Sequence, residues 1–246
     1  MKPVYLAIVA TTLLIALGVS LVATVFLLPI NGLAKQAAML SFNINDETNM
    51  PYWCRELSSI LTEQNVKATI FIAGRVAESH PECVQNLSSN AKLDIGSMTY
   101  SYVSILSIQD YAGQLSEVEK GKQAVDYAGN IFSRSFRAPH NSTDENIYSL
   151  LNRTGILADF SYQDHYNKYY GGYYIWFNVT SFDGAEHSAA FFHDMPVTDT
   201  PLVITFDNHD SIAEIREFVS QFRLNNVQLL NASDLTQMEL TERRTG

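Results

Sequence analysis

Several features that mark common functional classes are scarce or missing in this sequence. Lysine and arginine number 16 against 26 aspartates and glutamates, which leaves a formal net charge of −10. Binding to a phosphate backbone needs a basic stripe, so this composition argues against a nucleic-acid-binding protein. The Gly-x-Ser-x-Gly elbow of serine hydrolases is also missing. The absence of repeats and low-complexity tracts leaves an ordinary globular composition with 46% hydrophobic residues.

The amino-terminal segment has no charge at all over a long run. Pro3–Ile30 spans 28 residues without a charged side chain, and only Lys2 and the amino terminus precede it. A secretory h-region has about 7–15 residues and a bilayer core needs about 20, so the length predicts an uncleaved signal anchor over residues 1–32. Lys2 keeps the amino end in the cytoplasm, which places residues 33–246 on the external face of the cell membrane. The alternative is a cleaved signal peptide with small residues near a cut at 33–38.

Two weaker signals agree with an external location. Cys54 and Cys83 are the only cysteines, and their spacing fits neither a zinc ribbon nor a C-x-x-C redox motif. In an oxidising compartment they predict one structural disulfide, the alternative being two buried free thiols. The sequence also contains five Asn-x-Ser/Thr acceptors, which we expect to be glycosylated: Asn86, Asn141, Asn152, Asn178 and Asn231.

After the amino-terminal segment, apolar runs alternate with amphipathic segments, which predicts an α/β domain with a parallel, barrel-like sheet. We expect strands at Ala38–Phe42, Lys67–Ala73, Leu93–Gly96, Ser135–Ala138, Ile156–Phe160, Leu202–Phe206 and Val227–Leu230. Helices are expected at Pro51–Gln64, Pro81–Ser89, Ile108–Gly129, Thr143–Asn152, Ser211–Phe222 and Ser233–Met238. Residues 164–201 interrupt the rhythm and are expected to form loops or an inserted hairpin.

One segment after a predicted strand has an unusual sequence. Gly96-Ser97-Met98-Thr99-Tyr100-Ser101-Tyr102 resembles the Gly-Ser-His-Thr-x-Ser-His motif of the polysaccharide deacetylase family, the NodB-homology domain. In that family, two histidines four residues apart hold a divalent metal. Here Met98 and Tyr102 take their places. A thioether suits copper(I) better than zinc, and a phenol with a pKa near 10 is a poor zinc ligand. Both side chains are therefore predicted to pack rather than to bind a metal.

The end of the first strand departs from the family in the same direction. Ser41-Phe42-Asn43-Ile44-Asn45 resembles the family's Thr-Phe-Asp-x-Asp, in which the first aspartate is the catalytic base and the second a metal ligand. A neutral amide cannot accept the proton of an attacking water, so Asn43 cannot be the base. Asn45 can offer a metal only a neutral oxygen. Asp46, one position further, would point elsewhere at a strand end.

Three later segments extend the resemblance, which runs from Met39 to Leu235. Lys67–Gly74 is similar to a structural strand of the family. Phe136-Arg137-Ala138-Pro139-His140 is similar to Phe-Arg-x-Pro-Tyr, whose arginine orients the catalytic aspartate and whose loop helps to hold the oxyanion. With asparagine at position 43, Arg137 is expected to lose that partner. It would then bond Asp159 or present its guanidinium to a ligand.

The resemblance also implies equivalents for two further catalytic positions. Asp159 lies in Gly155–Ser161, which is similar to the family's Gly-x-x-x-Asp-x-Ser strand. The last catalytic histidine becomes Asp207 if its strand is aligned without a gap, whereas a shift of two residues makes it His209. Of the five chemically required positions, none is clearly retained. The resemblance therefore predicts the family's fold, a distorted (β/α) barrel, without its metal site.

An aromatic stretch around residues 162–177 gives the domain a second potential role. Together with the motif loops, it suggests that Tyr100, His140, Tyr173 and Trp176 bind a ligand. Flat rings beside glycine turns suit stacking on sugars or a protein interface, and they can also simply fill the end of the barrel.

The sequence thus predicts a membrane-anchored, catalytically inactive relative of the deacetylases that binds glycan or serves as a scaffold in the cell envelope or a membrane complex. No cofactor is expected. The alternative is an active deacetylase of N-acetylated envelope sugars that uses a rebuilt site with a divalent metal such as zinc. A third possibility is a purely structural subunit whose groove is plugged by Met98 and Tyr102.

Overall fold

The computed structural model describes residues 37–144, 147–161, 175–176, 180–184, 201–222 and 227–245. These residues belong to one compact unit, Gln36–Gly246. The predicted anchor over residues 1–32 lies outside them, as do Tyr173 and Asn178. Within the described ranges, no helix is both long and apolar enough to span a membrane.

The described residues contain nine strands and seven helices. The strands are β1 (Ala37–Ile44), β2 (Ala68–Ile72), β3 (Leu93–Ser97), β4 (Ser135–Phe136), β5 (Ala158–Asp159), β6 (Ile175–Trp176), β7 (Thr180–Asp183), β8 (Leu202–Asp207) and β9 (Gln228–Leu229). The helices are α1 (Met50–Glu63), α2 (Gly74–Ser79), α3 (Pro81–Ser88), α4 (Tyr111–Gly129), α5 (Ile147–Arg153), α6 (Ile212–Phe222) and α7 (Ala232–Thr245). Two 3₁₀ turns lie at Ile105–Ser107 and Pro139–Asn141.

All strand pairs are parallel, and the sheet order is β6-β5-β4-β3-β2-β1-β8-β7, with β9 added beside β1. The sheet curls into a half-barrel, as expected for strands joined by helical crossovers of one hand. The predicted parallel α/β domain is therefore confirmed. In a parallel sheet the carboxyl ends of all strands meet at one edge, and the motif residues collect there.

The two faces of the sheet have separate cores. On strand β1, Leu40 and Phe42 are fully buried on the outer face, in the same hydrophobic cluster as residues of α1, α3, α4 and α6. On the concave face, Met39, Phe71 and Met98 belong to a second cluster that includes the first turn of helix α7. Alternating side chains on each strand produce this division. Helix α7 thereby closes the interior of the half-barrel.

Helix α4 fixes the position of the Met98–Tyr102 segment. The sequence predicts its start at Ile108, whereas it begins at Tyr111 because Asp110 caps it, accepting from the backbone N–H of Gly113 at 2.7 Å. At Gly121 the helix comes so close to the segment that a Cβ would lie 2.2 Å from the carbonyl oxygen of Met98. Glycine is therefore required at this contact.

The predicted disulfide is present. Cys54 of α1 and Cys83 of α3 are bonded, with 5.7 Å between their Cα atoms. Both cysteines are buried against the outer core. The bond therefore joins two of the helices that cover the outer face of the sheet.

The region expected to form loops or a hairpin contributes two strands instead. Strand β6 pairs with β5 and strand β7 pairs with β8, which places them at opposite ends of the sheet order. The hairpin expectation is therefore wrong for these two strands. Helix α7 also continues to Thr245, well past the predicted end at Met238.

Candidate functional site

A cavity of about 250 Å³ opens at the carboxyl edge of the sheet. Strands β1, β7 and β8 and the loops after β3 and β4 line it. The lining residues are Asn43, Met98, Tyr102, Arg137, Ala138, Pro139, His140, Asn141, Ser181, Phe182, Asp183, Thr205 and Asp207. Most of the motif positions singled out in the sequence are thus brought to one cavity.

Arg137 is the buried centre of this site, with only 2% of its surface exposed. Its Nη1 donates to Ser41 Oγ at 2.6 Å and to Asn43 Oδ1 at 3.0 Å. Its Nε donates to the carbonyl oxygen of Phe160 at 3.3 Å, and the guanidinium lies 4.4 Å from the centroid of the Phe71 ring. The expectation that Arg137 loses its partner at position 43 is therefore wrong, because the amide oxygen of Asn43 accepts its hydrogen bond. The Arg137 guanidinium is thus held by hydrogen bonds to other groups of the protein.

Met98 forms part of the concave core. It is 1% exposed and clusters with Phe71 and Phe160, whose rings lie 5.9 Å apart. Its backbone N–H donates to the carbonyl oxygen of Ile72 at 3.0 Å, so it continues the ladder past the end of strand β3. A thioether among aromatic rings is a favourable packing arrangement.

Tyr102 lies at the mouth of the cavity with a left-handed backbone, φ 56°. Its ring centroid is 5.2 Å from that of His140, which has the same positive φ. Tyr102 also hydrogen-bonds Asn45. Burial raises the pKa of the Tyr102 phenol, and the charge of Asp207 raises it further, so the hydroxyl stays protonated at neutral pH.

Asp207 provides a carboxylate next to these groups. It lies directly opposite Asn43 in the pairing of β1 and β8. Its Oδ1 accepts from Asn45 Nδ2 at 3.4 Å, and its backbone N–H donates to Asp210 Oδ2 at 2.6 Å. Burial raises the pKa of Asp210, and the nearby carboxylates, Asp207 foremost, raise it further.

His209, the other candidate for the last catalytic position, lies elsewhere. Its Nε2 is 2.7 Å from Asp46 Oδ2. It lines a separate groove of about 780 Å³ between α1 and α6. Burial works to raise the pKa of Asp46, but hydrogen bonds from Thr48 and Asn208 outweigh it, so that the pKa lies below its usual value. The pair is thus formed outside the cavity that holds Asn43 and Met98.

Asp159 braces the loop that carries Pro139. It is fully buried, and its Oδ1 accepts from both the backbone N–H and the hydroxyl of Ser161, at 2.9 and 2.6 Å. The hydroxyl oxygen of Ser161 in turn accepts from the backbone N–H of Ala138 at 2.7 Å. This chain of bonds fixes the loop on which Pro139 and His140 reach the cavity.

The remaining ligand-binding candidates divide differently. His140 lines the cavity, but Tyr100 does not, because its hydroxyl donates to Glu78 on helix α2. For Trp176 only the backbone in β6 is described, and Tyr173 lies outside the described residues. Sequence reasoning missed strand β7, whose Ser181 and Asp183 line the cavity. With one apolar residue among the four of Thr180–Asp183, the sequence has no alternation that would indicate this strand.

The glycosylation candidates differ in access. Asn86, Asn141 and Asn152 are exposed. Asn231 is 7% exposed and caps helix α7, because its Oδ1 accepts from the N–H of Asp234 at 2.9 Å while its Nδ2 donates to the carbonyl oxygen of Lys92. Both ends of this amide are therefore used, and the position leaves no room for a glycan.

A parallel half-barrel with a polar cavity at the carboxyl edge defines an α/β protein built like the carbohydrate deacetylases. The sequence profile described as "Polysaccharide deacetylase" matches residues 31–158, just over half of the chain. The chain belongs to the polysaccharide deacetylase family.

Solved structures show the same fold. A candidate polysaccharide deacetylase from Mycobacterium smegmatis superposes with a TM-score of 0.66 at 16% identity, covering 85% of this chain and 91% of that one. A family 4 carbohydrate esterase from Streptomyces lividans, in complex with acetate, gives 0.60 at 18% identity, covering 79% and 91%. A Bacillus anthracis pseudoenzyme of the same esterase family gives 0.60 at 14% identity, covering 82% and 65%. A mutant of that pseudoenzyme with restored enzymatic activity is also similar, at 0.59.

The family's divalent metal does not fit the side chains at this site. The family's metal positions offer the Met98 thioether, the protonated Tyr102 phenol and the Asn45 amide, and the cavity adds the carboxylates of Asp207 and Asp183. Zinc and similar ions prefer imidazole, thiolate and carboxylate ligands. Among the residues that the structure describes, no three His, Cys, Asp or Glu side chains come close enough together to share a metal ion.

Proposed function

We propose that this protein is a non-catalytic member of the family that holds a glycan in the cavity at the carboxyl edge. The observation that carries the proposal is the Arg137–Asn43 hydrogen bond of 3.0 Å. It keeps the arrangement of the catalytic arginine while an amide stands where the general base belongs. Without a base to take the proton of an attacking water, the cavity binds a glycan but does not hydrolyse it.

The Bacillus anthracis pseudoenzyme supports this reading. That protein has the same fold and is a pseudoenzyme, so the fold tolerates loss of activity. A mutant of it with restored activity shares the fold as well. Substitutions at a site can therefore separate activity from architecture.

The proposal includes an attachment to the cell membrane. The 28-residue stretch Pro3–Ile30 without charge supports an anchor whose amino end is cytoplasmic. The Cys54–Cys83 disulfide fits a domain on the oxidising, external face. There the domain would present its cavity to envelope glycans or to another protein of a membrane complex. Resistance to carbonate extraction, with a domain accessible to protease from outside intact cells, tests this part.

The experiment on function measures binding and turnover in one sample. Full-length protein in mild detergent is titrated calorimetrically with a panel of hexosamine tetramers, both N-acetylated and de-N-acetylated. Each mixture is then inspected by proton NMR for free acetate. We expect saturable binding of at least one glycan and no acetate signal above the protein-free blank, with or without added zinc.

A pair of variants tests whether the glycan binds in the cavity. His140→Ala removes a ring that lines the cavity, and it should weaken glycan binding. Tyr127→Ala removes a ring on helix α4 that is 91% exposed and lies outside the cavity, and it should leave binding unchanged. Acetate release by the wild-type protein with stoichiometric metal would instead establish the active deacetylase with a rebuilt site. Absence of glycan binding together with a co-purifying protein would favour the purely structural role.

A further inference from the structure

We propose that the cavity selects a glycan carrying a free, protonated amine, that is, a de-N-acetylated hexosamine, over its N-acetylated counterpart. The proposal rests on the glycan-binding function proposed above and names its ligand class. It reverses the preference expected of a deacetylase, whose substrate carries the acetyl group.

The charges that face the cavity are the first argument. At the six family positions of this site (43, 45, 98, 102, 137 and 207), only Arg137 and Asp207 carry a charge. The cavity lining has one further carboxylate, that of Asp183 on β7, and the imidazole of His140. The Arg137 guanidinium is 2% exposed and donates to Ser41, Asn43 and the Phe160 carbonyl. Its charge is therefore enclosed by the protein. Asp207 is partly exposed. Among the described residues, its side chain accepts one hydrogen bond, a long one of 3.4 Å from the neutral amide of Asn45, so its charge can attract a cation.

Neighbouring groups report a negative potential at this point. Beyond the effect of burial, the charge of Asp207 raises the pKa of Tyr102 more than the charge of Arg137 lowers it. On the other side of Asp207, its charge contributes to the raised pKa of Asp210, as do Asp183 and Glu214. Burial is the largest cause of both raised pKa values, and the charge of Asp207 adds to it in each case. A protonated amine placed between Tyr102 and Asp207 would be stabilised by the same field.

The aromatic pair at the mouth is the second argument. Tyr102 and His140 both have φ 56°, a left-handed backbone that is strained for side chains of this size. Such strain persists only where the surroundings hold it, and it is concentrated at functional sites. The rings lie 5.2 Å apart and both line the cavity. An aromatic face suits a sugar ring and also attracts a cation.

The size of the cavity fits a single sugar unit. At about 250 Å³ it lies below the range of about 300–1,000 Å³ that is common for drug-sized ligands. One hexosamine ring can then stack at the mouth, with its ammonium group directed towards Asp207 and its remaining chain outside. An acetamide at the same position would bring a neutral, bulkier group against a carboxylate.

The test compares two ligands that differ only in the acetyl groups. Full-length protein is titrated calorimetrically with glucosamine tetramer and with N-acetylglucosamine tetramer at about pH 5.5, where an amine is protonated. We expect the amine form to bind about tenfold more tightly, the effect of one partly buried charge pair. At about pH 9, where the amine is neutral, the preference should disappear.

A matched pair of variants assigns the preference to one carboxylate. Asp207→Asn keeps the shape and removes the charge, and it should bring the two ligands to equal affinity. Glu82→Gln removes the charge of a carboxylate whose side chain is 64% exposed outside the cavity, and it should change nothing. Equal or tighter binding of the N-acetylated tetramer by the wild type, or a preference that survives Asp207→Asn, would overturn this inference while leaving glycan binding intact. Displacement of the amine by stoichiometric zinc would also overturn it, since Asp207 would then serve a metal. Failure of every glycan to bind would instead refute the proposed function itself.

Discussion

Replacing Met98 by histidine tests whether this position belongs to the core or to a damaged metal site. The substitution restores the residue that the family motif has at this place. Met98 is 1% exposed and lies in the concave core with Phe71 and Phe160. If Met98 is a packing residue, its replacement by histidine should lower the free energy of unfolding, and added metal should not restore it.

The structure sets the size of the expected loss. The imidazole is shorter than the methionine side chain, and a change of shape in a packed core costs about 1 kcal/mol. A buried ring nitrogen without a partner adds a desolvation cost of about 1–3 kcal/mol. We therefore expect Met98→His to lower the free energy of unfolding by about 2–4 kcal/mol, a large part of the stability of an ordinary domain.

Urea unfolding of the full-length protein in mild detergent measures this loss, followed by circular dichroism with and without zinc. Met98→Leu is the matched control, since a volume-conserving apolar exchange should cost less than about 1.5 kcal/mol. A ligand that binds only the native state would raise stability in proportion to the logarithm of its concentration. The reasoning is refuted if Met98→His is as stable as the wild type, or if zinc stabilises it.

Three other predictions concern the scaffold. Burial raises the pKa of Asp94, so the native state binds its proton more tightly than the unfolded chain; the resulting destabilisation grows as pH rises from about 3.9 through the folded pKa and is complete above it. Asp94→Asn should therefore be more stable than the wild type at neutral pH in thermal unfolding, and a difference that does not fade in acid would contradict this. The disulfide closes a separation of 29 residues, so Cys54→Ser with Cys83→Ser should cost about 3.5 kcal/mol by the chain-entropy relation; unchanged urea midpoints would show that this estimate fails. Asn231→Ala removes the cap of helix α7 and should cost about 1 kcal/mol in the same assay, whereas a glycan found on Asn231 by mass spectrometry would contradict its buried placement.

Elements with a simple pattern were predictable from the sequence. Strand β8 is a continuous apolar run, and Leu202–Asp207 differs from the predicted strand by one residue. Helix α1 was found within one residue at each end, because Pro51 marks its first turn. Strand β7 was not predicted because Thr180–Asp183 is short and three of its four residues are polar. Its place at the edge of the sheet depends on pairing with β8, which no local pattern specifies.

The candidate site was predictable as a set of positions but not as a set of contacts. Parallel strands bring their carboxyl ends together, so the sequence could place Asn43, Arg137 and Asp207 near one another. It could not show that the Asn43 amide oxygen accepts from Arg137, because that depends on the orientation of two side chains. The separation of Asp207 from His209 likewise arises from the turn after β8, in which Asp210 bonds the backbone of Asp207 and turns His209 towards Asp46.

The metal content of the wild-type protein tests the central claim most directly, namely that this chain keeps the fold of the family without its metal site. Full-length protein is dialysed to equilibrium against zinc, cobalt or nickel, and the bound metal per chain is measured by mass spectrometry. We predict no more metal than in Arg137→Met or Asp207→Asn variants treated in the same way. One metal ion bound per wild-type chain and lost in Asp207→Asn would contradict the account.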